Sequence, residues 1–410
     1  MPNPDIFQKW FDLHLMGAYR TFDTTKYGTA NSEALVGGNL NDALYGNGGA
    51  DILHGNKGDD WLDGGAGGDI LNGGDGYDVA SYINSPDGVY FDLLYGTQAG
   101  DNNDANNVES EAKGDTFANI EQFNGSVHAD TMFGNNDANA FYGYDGDDYL
   151  VGRGGVDTIH GMQGVDKIYG GTEGDYLYGE GGDDTIHGEA GDDQIDGGSG
   201  RDWLYGEGGI NTINGGAGND MIYGGAQVDY LDGQSGEDTL KGAGGNDWIY
   251  GEANDDEMWG EAGNDYLFGG ENNDWLNGGE NDDFLNGGDG DDILHGEGGN
   301  DYYYGGAGND IFFGDVPYLN GKDVFAFDVT EDTGDDYLAM FDAKLDTLEL
   351  IGAKLDDGSV TVSHNSDGWL QLNFAGGGTL TFEDNPTMNA IQNVGQLNQV
   401  CNVQYDNALA

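Results

Sequence analysis

The sequence predicts an all-β protein: a parallel β-roll of short strands and tight turns, stacked coil upon coil and closed by a C-terminal β cap. Two observations predict it. Aspartates fall at 42, 51, 60, 69 and 78 and then from Asp130 to Asp310, always nine residues apart, with Asn139 and Asn211 in two of the places. When each nonapeptide is framed with this acid sixth, the first residue is Gly in all 26 units and the eighth is apolar in all 26. Such self-similarity marks a repeat architecture. The composition taken alone, with 79 Gly in 410 residues and a net charge of −65, has the signature of disorder. A disordered acidic chain does not hold an apolar residue in phase over 21 successive units, so the periodicity decides for a fold.

The elements follow in chain order. Residues 1–36 are read as an N-terminal cap. Asn3 can N-cap, Pro4 suits the first helical position, and Phe7, Trp10, Phe11 and Leu15 share one face of a short helix. Membrane or partner contact is the other reading of that face. The first repeat block is 37–81. Residues 82–124 break the register, because Asp78 and Asp130 are 52 apart, which is not a multiple of nine. The alternating apolar residues of Gly88–Leu93, Gly114–Phe117 and Asn119–Ser126 predict strands that continue the stack. Asp101, Asp104, Glu109 and Glu111 predict an exposed acidic loop over 97–113, with a cation site as the alternative. The second block, 125–313, holds 21 units. In 314–410, Val324–Phe327, Leu345–Leu350, Val360–Val362, Leu370–Phe374 and Leu380–Phe382 read as short strands. They form the cap that the last coil's open edge requires.

Within one unit, the Gly-rich positions one to six turn tightly, because Gly tolerates φ > 0. Asn254, Asn272 and Asn281 replace Gly at position four, and Asn tolerates the left-handed region too. Leu40, His128, Asp137, Glu173 and Gln227 depart from the pattern there, and distorted turns are expected. Positions seven to nine form a strand with the eighth side chain inward. Two units, 18 residues, close one coil. With strands stacked at ~4.8 Å, 21 units make a roll about 50 Å long.

Residues 18 apart then share an edge. One edge collects Asp148, Asp166, Asp184, Asp202, Asp220, Asp238, Asp256, Asp274, Asp292 and Asp310. The other collects Asp157, Asp175, Asp193, Asn211, Asp229, Asp247, Asp265, Asp283 and Asp301. Asp42, Asp51, Asp60, Asp69, Asp78 and Asp130 hold the same position elsewhere. Carboxylates stacked at ~5 Å repel and need a counter-ion. With main-chain carbonyls beside them they suit a hard cation, above all Ca²⁺, while Mg²⁺ keeps its waters and demands a tighter octahedron. All 24 aspartates are candidate ligands. The unbalanced alternative, a solvated acidic face, does not require a Gly five residues before every acid. Asn139 and Asn211 supply one charge less, and weaker sites are expected beside them.

Segments such as Gly188–Asp196, Gly215–Tyr223 and Gly287–His295 resemble the RTX (haemolysin-type) calcium-binding nonapeptide. The resemblance covers just over half the chain. It implies a parallel β-roll with Ca²⁺ between turns, and export by a type I secretion machinery through an uncleaved C-terminal signal. By the same analogy the tail up to Ala410 carries that signal.

The charge excludes a nucleic-acid duplex and an anionic membrane as partners. No apolar run approaches the ~18 residues of a membrane helix, which also disfavours a bilayer-entering toxin. Met1–Asp5 lacks a basic segment before an apolar core, so a cleaved Sec-type signal is not expected. No H-E-x-x-H and no G-x-S-x-G occurs, and the single cysteine, Cys401, has no histidine near it in sequence. No catalytic residue and no organic cofactor is therefore expected. At position seven, Tyr230, Trp248, Tyr266, Phe284 and Tyr302 form an outward ladder, matched on the opposite face by Trp275, Ile293 and Ile311. Cross-strand stacking or cover by the C-terminal segment would explain it. So would a platform for polysaccharide or a second copy. Two readings of function stand: a non-catalytic, secreted, Ca²⁺-folded protein of a surface layer, matrix or adhesion, and a secreted polysaccharide-binding or polysaccharide-modifying protein that uses the roll as scaffold.

Overall fold

A computed structural model describes residues 22–94, 111–314, 321–328, 334–352, 359–375, 377–383, 387–392, 396–397 and 402–406. The helix expected over Asn3–Leu15, the acidic residues Asp101, Asp104 and Glu109, Cys401 and the final residues to Ala410 lie outside them. The chain divides into two compact units, Met1–Leu150 and Val151–Ala410.

In the second unit, successive strands alternate between two parallel sheets. Thr158–Gln163, Tyr176–Gly181 and Gln194–Ser199 pair in one ladder with Thr158 opposite Tyr176 and Tyr176 opposite Gln194. Lys167–Thr172, Thr185–Ala190 and Trp203–Glu207 pair in the other, Lys167 opposite Thr185 and Thr185 opposite Trp203. The register is 18 in both, so two nonapeptides close one coil. The position-eight residues fill the space between the sheets: from Ile159 to Phe312 none is more than 2% exposed. Each apolar side chain can reach the core only because its two flanks face outward.

The strands are longer than the three residues expected. Most run for six, from position seven through position three of the next unit, as in Tyr176–Gly181 and Tyr266–Glu271. The turn is accordingly confined to positions four to six. Pairing simply continues through the glycines, with Gly270 opposite Gly288 and Glu271 opposite Asp289. The left-handed residues are also distributed differently from the expectation. Position four carries them, as at Gly218 (φ 136°) and, as foreseen for Asn, at Asn254, Asn272 and Asn281 (φ 89°, 83° and 80°). Position two carries them as well, on side chains as large as Glu180, Glu252 and Glu297 (φ 70°, 73° and 67°).

Beyond Phe313 both ladders continue with longer connections. Tyr302 lies opposite Val324, Val324 opposite Thr347 and Thr347 opposite Asn402, all parallel. On the other sheet Ile311 pairs with Tyr337 and Tyr337 with Thr381. That sheet ends in antiparallel strands, Val360–His364, Leu370–Phe374 and Thr379–Phe382. Rings replace the small apolar residues here: Tyr303 stacks on Phe325 at 4.5 Å, and Phe341 meets Phe382 edge-on at 5.4 Å.

The first unit begins its ladder before Gly37. Thr24–Tyr27 pairs with Asp42–Tyr45, and Ala34–Val36 with Ile52–Lys57, again in register 18. Residues 28–36 form a nonapeptide with Glu33 in the acid's place, which a search confined to Asp and Asn passes over. The expected spacer strands do continue the stack: Thr116–Ala118 pairs beside Ile70, and Gln122–Asn124 lies between Val79–Ser81 and Ala140–Tyr142. Its core is phenylalanine, with Phe91, Phe123 and Phe141 within 5.2–6.0 Å of one another. Among the described residues no helix is long and apolar enough to cross a membrane.

Candidate metal centre

The position-six acids stand just before each strand and are almost completely buried. From Asp157 to Asp310 none is more than 3% exposed. Their two oxygens do different things. Oδ1 accepts the main-chain N–H of the acid one coil earlier: Asp229 donates to Asp247, and Asp247 to Asp265, each at 2.8 Å. This stitch repeats through the unit, as between Asp175 and Asp193 and between Asp274 and Asp292, both at 2.8 Å. Oδ2 is buried and has no hydrogen-bond partner in Asp175, Asp184, Asp193 and Asp202, and in steps of nine from Asp220 to Asp292. Asp51, Asp60 and Asp69 of the first unit share that state.

A buried, unpartnered carboxylate oxygen is costly, and here it recurs in one nonapeptide after another. The glycine five residues earlier explains how it is accommodated. A Cβ on Gly215 would lie 2.6 Å from Asp220 Oδ2, and one on Gly233 2.6 Å from Asp238 Oδ2. Neither glycine is in the left-handed region. Position one is therefore Gly for space beside the carboxylate, not for backbone freedom, which corrects the reading of that position as part of the turn. Among the described residues no three His, Cys, Asp or Glu side chains converge. A centre here would draw on one carboxylate oxygen per unit together with main-chain carbonyls of the loops, a donor set suited to a hard cation.

Burial, and then the carboxylates of neighbouring coils, push these acids up. Asp238 is raised to about 8 with Asp220 and Asp256 beside it, Asp283 to about 9 with Asp301 and Asp265, and Asp247 to about 7. The main-chain N–H on Oδ1 opposes the rise in each case.

Several acids stand apart. Asp130 Oδ2 accepts the Ser126 N–H at 2.6 Å, and Asp42 Oδ2 accepts that of Gly38. These two are the first aspartates of the two repeat blocks, and their second oxygens are already satisfied by the chain. Sequence reasoning passed over further members of the stitch. Asp69 donates to Asp115, Asp78 to Glu121, Asp301 to Asp323, Asp310 to Asp336 and Asp323 to Asp346. Each precedes an apolar residue by two places, as in Asp323-Val-Phe325 and Asp336-Tyr-Leu338, but lacks the glycine five residues before it. The strand half of the repeat survives there without the loop half. Asp115 Oδ2 accepts from Tyr82 Oη at 2.7 Å, and Asp346 Oδ2 from the Asp342 N–H at 2.6 Å, so these acids stitch coils and need no cation.

A family model of the RTX calcium-binding nonapeptide repeat matches residues 27–80 and 124–315 in overlapping copies. The chain belongs to the RTX calcium-binding repeat family. The match begins at 27, in agreement with Glu33 heading an additional repeat. Comparison with curated proteins gave no match. RTX repeats bind calcium, and the unpartnered oxygens and their glycine notches are residues of this chain that fit the ion.

An Asp247→Ala variant tests the assignment. It is expected to lose one bound Ca²⁺ and to shift the calcium midpoint upward, while Asp346→Ala leaves the ion count unchanged. Equal loss, or none, in calcium titrations of both variants would sink the distinction.

The aromatic ladder is formed. Trp248 stacks on Tyr266 at 4.4 Å and 11°, on Tyr230 at 5.9 Å and 2°, and Phe284 on Tyr302 at 5.3 Å and 6°. Tyr230 and Tyr266 are 46% and 38% exposed, so the described residues of the C-terminal segment do not cover them. Tyr302 Oη donates to Glu349 of that segment at 3.2 Å. Position nine adds columns that the sequence reading left out: Tyr250 on Phe268 at 5.0 Å and, on the opposite sheet, Tyr169–His187–Tyr205–Tyr223 at 4.6–5.1 Å. Lys241 Nζ lies between the Tyr223 and Trp259 rings, 5.8 and 4.5 Å from their centroids.

Proposed function

We propose that this chain is a secreted, non-catalytic calcium-binding protein that folds on extracellular Ca²⁺ and works in a cell-surface layer, matrix or adhesion. The observation that carries the reading is the row of buried, partnerless Oδ2 atoms at Asp51, Asp60, Asp69, Asp175–Asp202 and Asp220–Asp292, each facing a glycine. Asp51, Asp60, Asp69, Asp175–Asp202 and Asp220–Asp292 in steps of nine would hold the ions, together with carbonyls of their loops. The cation supplies positive charge to a protein of net charge −65. The chain's own part is to space the carboxylates one coil apart and to exclude water from them.

In a cell interior poor in free Ca²⁺, the acid columns repel and keep the chain unfolded, a state suited to passage through a type I secretion channel. At millimolar Ca²⁺ outside, binding energy becomes folding energy. No catalytic role is assigned.

The geometry weighs on the polysaccharide alternative. Sugars stack on ring faces, whereas Tyr230, Trp248 and Tyr266, and again Phe284 and Tyr302, lie face to face along the ladder and occupy those faces with one another. The ladder is better suited to cross-strand stabilisation. Trp248→Ala is expected to lower the stability of the Ca²⁺ form by about 1–3 kcal/mol in denaturant unfolding, from two lost stacking partners. The functional reading is tested with purified Ca²⁺-loaded protein on cells and on a glycan array. Calcium-dependent, EGTA-reversible surface association or self-assembly without glycan retention is the expected result. Glycan retention lost in Trp248→Ala would favour the alternative.

A further inference from the structure

One repeat of the second unit departs from the others in chemistry as well as charge. In the nonapeptide 206–214 the sixth residue is Asn211. Its Oδ1 accepts the Asp193 N–H at 3.1 Å, the same stitch that the aspartates make. Only an oxygen can accept there, so this bond orients the amide, and the other arm must be the NH₂ group. That Nδ2 stands against Gly206 in the place where Asp220 and Asp238 set Oδ2 against Gly215 and Gly233. It donates a long hydrogen bond, 3.4 Å, to the carbonyl of Gly209 in its own loop. A donor carried by the chain thus occupies the position where the other units place an anionic oxygen, and it engages one of the loop carbonyls.

The next loop on the same edge departs as well. In ordinary loops the position-four N–H donates to the position-three carbonyl one coil on: Gly200 to Ala217, Gly218 to Ser235 and Gly290 to Ala307, each at 2.8 Å. Position four of the unit 224–232 is Gln227 in place of Gly. The Gly209 N–H donates to its side-chain Oε1 at 3.2 Å. Two side-chain amides from adjacent coils therefore tie the 206–211 loop. An amide NH₂ has no lone pair to offer a cation.

We infer that the loop 206–211 takes no calcium ion and that the Asn211 amide, set where the other units place an anionic oxygen, ties the loop carbonyl instead. The ion row on this edge is then cut into two runs, Asp175–Asp193 and Asp229–Asp283, while the Asp184–Asp292 edge is unbroken. The inference rests on the calcium reading of the other loops. It replaces the expectation of a weak site at Asn211 with that of a turn closed without metal.

Bound calcium per chain, counted by native mass spectrometry on the full-length protein folded in Ca²⁺ and freed of excess ion, tests it. Asn211→Asp is expected to gain one ion, Asn211→Ala to match the parent, and Asp247→Asn to lose one. A loss of one ion in Asn211→Ala overturns the inference. So does no gain in Asn211→Asp where Asp247→Asn still loses one. An unchanged count in Asp247→Asn overturns the calcium reading of the ordinary loops instead, and this inference with it.

Discussion

In EGTA at neutral pH the purified chain is expected to give the circular-dichroism spectrum of a disordered polypeptide, and millimolar Ca²⁺ is expected to convert it to a β spectrum. The size of the effect follows from how the carboxylates are used. Folding buries the acid of almost every nonapeptide to 3% exposure or less between Asp157 and Asp310. It satisfies Oδ1 by the N–H of the neighbouring coil but leaves Oδ2 facing a glycine notch. Each such group costs on the order of 1–3 kcal/mol when left unsatisfied, more when charged. Set against net stabilities of about 5–15 kcal/mol for whole domains, a dozen of them decide the fold. The apolar column from Ile159 to Phe312 is one residue per unit and does not offset this alone. A compact β roll in EGTA, with the same hydrodynamic radius as in Ca²⁺, would falsify the calcium-folding reading. The cap is the region expected to depend least on calcium, because Asp346 has its second oxygen satisfied and the Tyr303–Phe325–Phe341–Phe382 rings provide a larger core.

Acidification in EGTA is expected to act in the same direction as calcium. The column carboxylates are raised by burial and by one another: Asp193 and Asp265 to about 6, Asp184 and Asp256 to about 7, Asp175 and Asp274 to about 8. In the unfolded chain they titrate near 3.8. Between these limits the folded form holds protons that the unfolded form has released, so stability falls as pH rises. The metal-free roll is therefore most stable near pH 4, and this contribution is lost as pH climbs through 6 to 9. Protein in EGTA should accordingly gain β structure when taken from pH 8 to pH 5. Calcium must displace the same protons, so its midpoint should move to higher concentration at pH 5 than at pH 8. Identical EGTA spectra at the two pH values, together with a calcium midpoint that does not move, would count decisively against buried, proton-linked carboxylates.

Much of this was legible in one dimension. The spacing of Asp148, Asp157 and their successors gave the 18-residue coil, and the unbroken apolar eighth position gave the core, because a two-sheet roll leaves a single inward residue per strand. The spacer strands at Tyr90–Asp92, Thr116–Ala118 and Gln122–Asn124 were readable from their alternation even without the repeat. The repeat at 28–36 was missed because Glu33 replaces Asp, although Gly28 and Leu35 hold their places. Asp323, Asp336 and Asp346 were missed because their glycines are gone and their spacing follows longer connections. The position-nine rings carry no period of their own in sequence, although strand alternation turns them outward with position seven.

Period, core column and acid column are properties of the sequence by itself, because a repeat can bury its apolar residue only against copies of itself. The three-dimensional structure decided what each atom of the acid does. Whether an oxygen is stitched to an N–H, faces a glycine notch, or meets a tyrosine hydroxyl depends on which loop lies one coil away, and that neighbour is 18 residues distant in the regular repeats and as many as 46 in the spacer. The same reason separates Asn211 from the aspartates around it. A one-letter change reads as a missing charge in sequence, and only the packing of Gly206, Gly209 and Gln227 around the side chain shows a donor where the other units place an anionic oxygen.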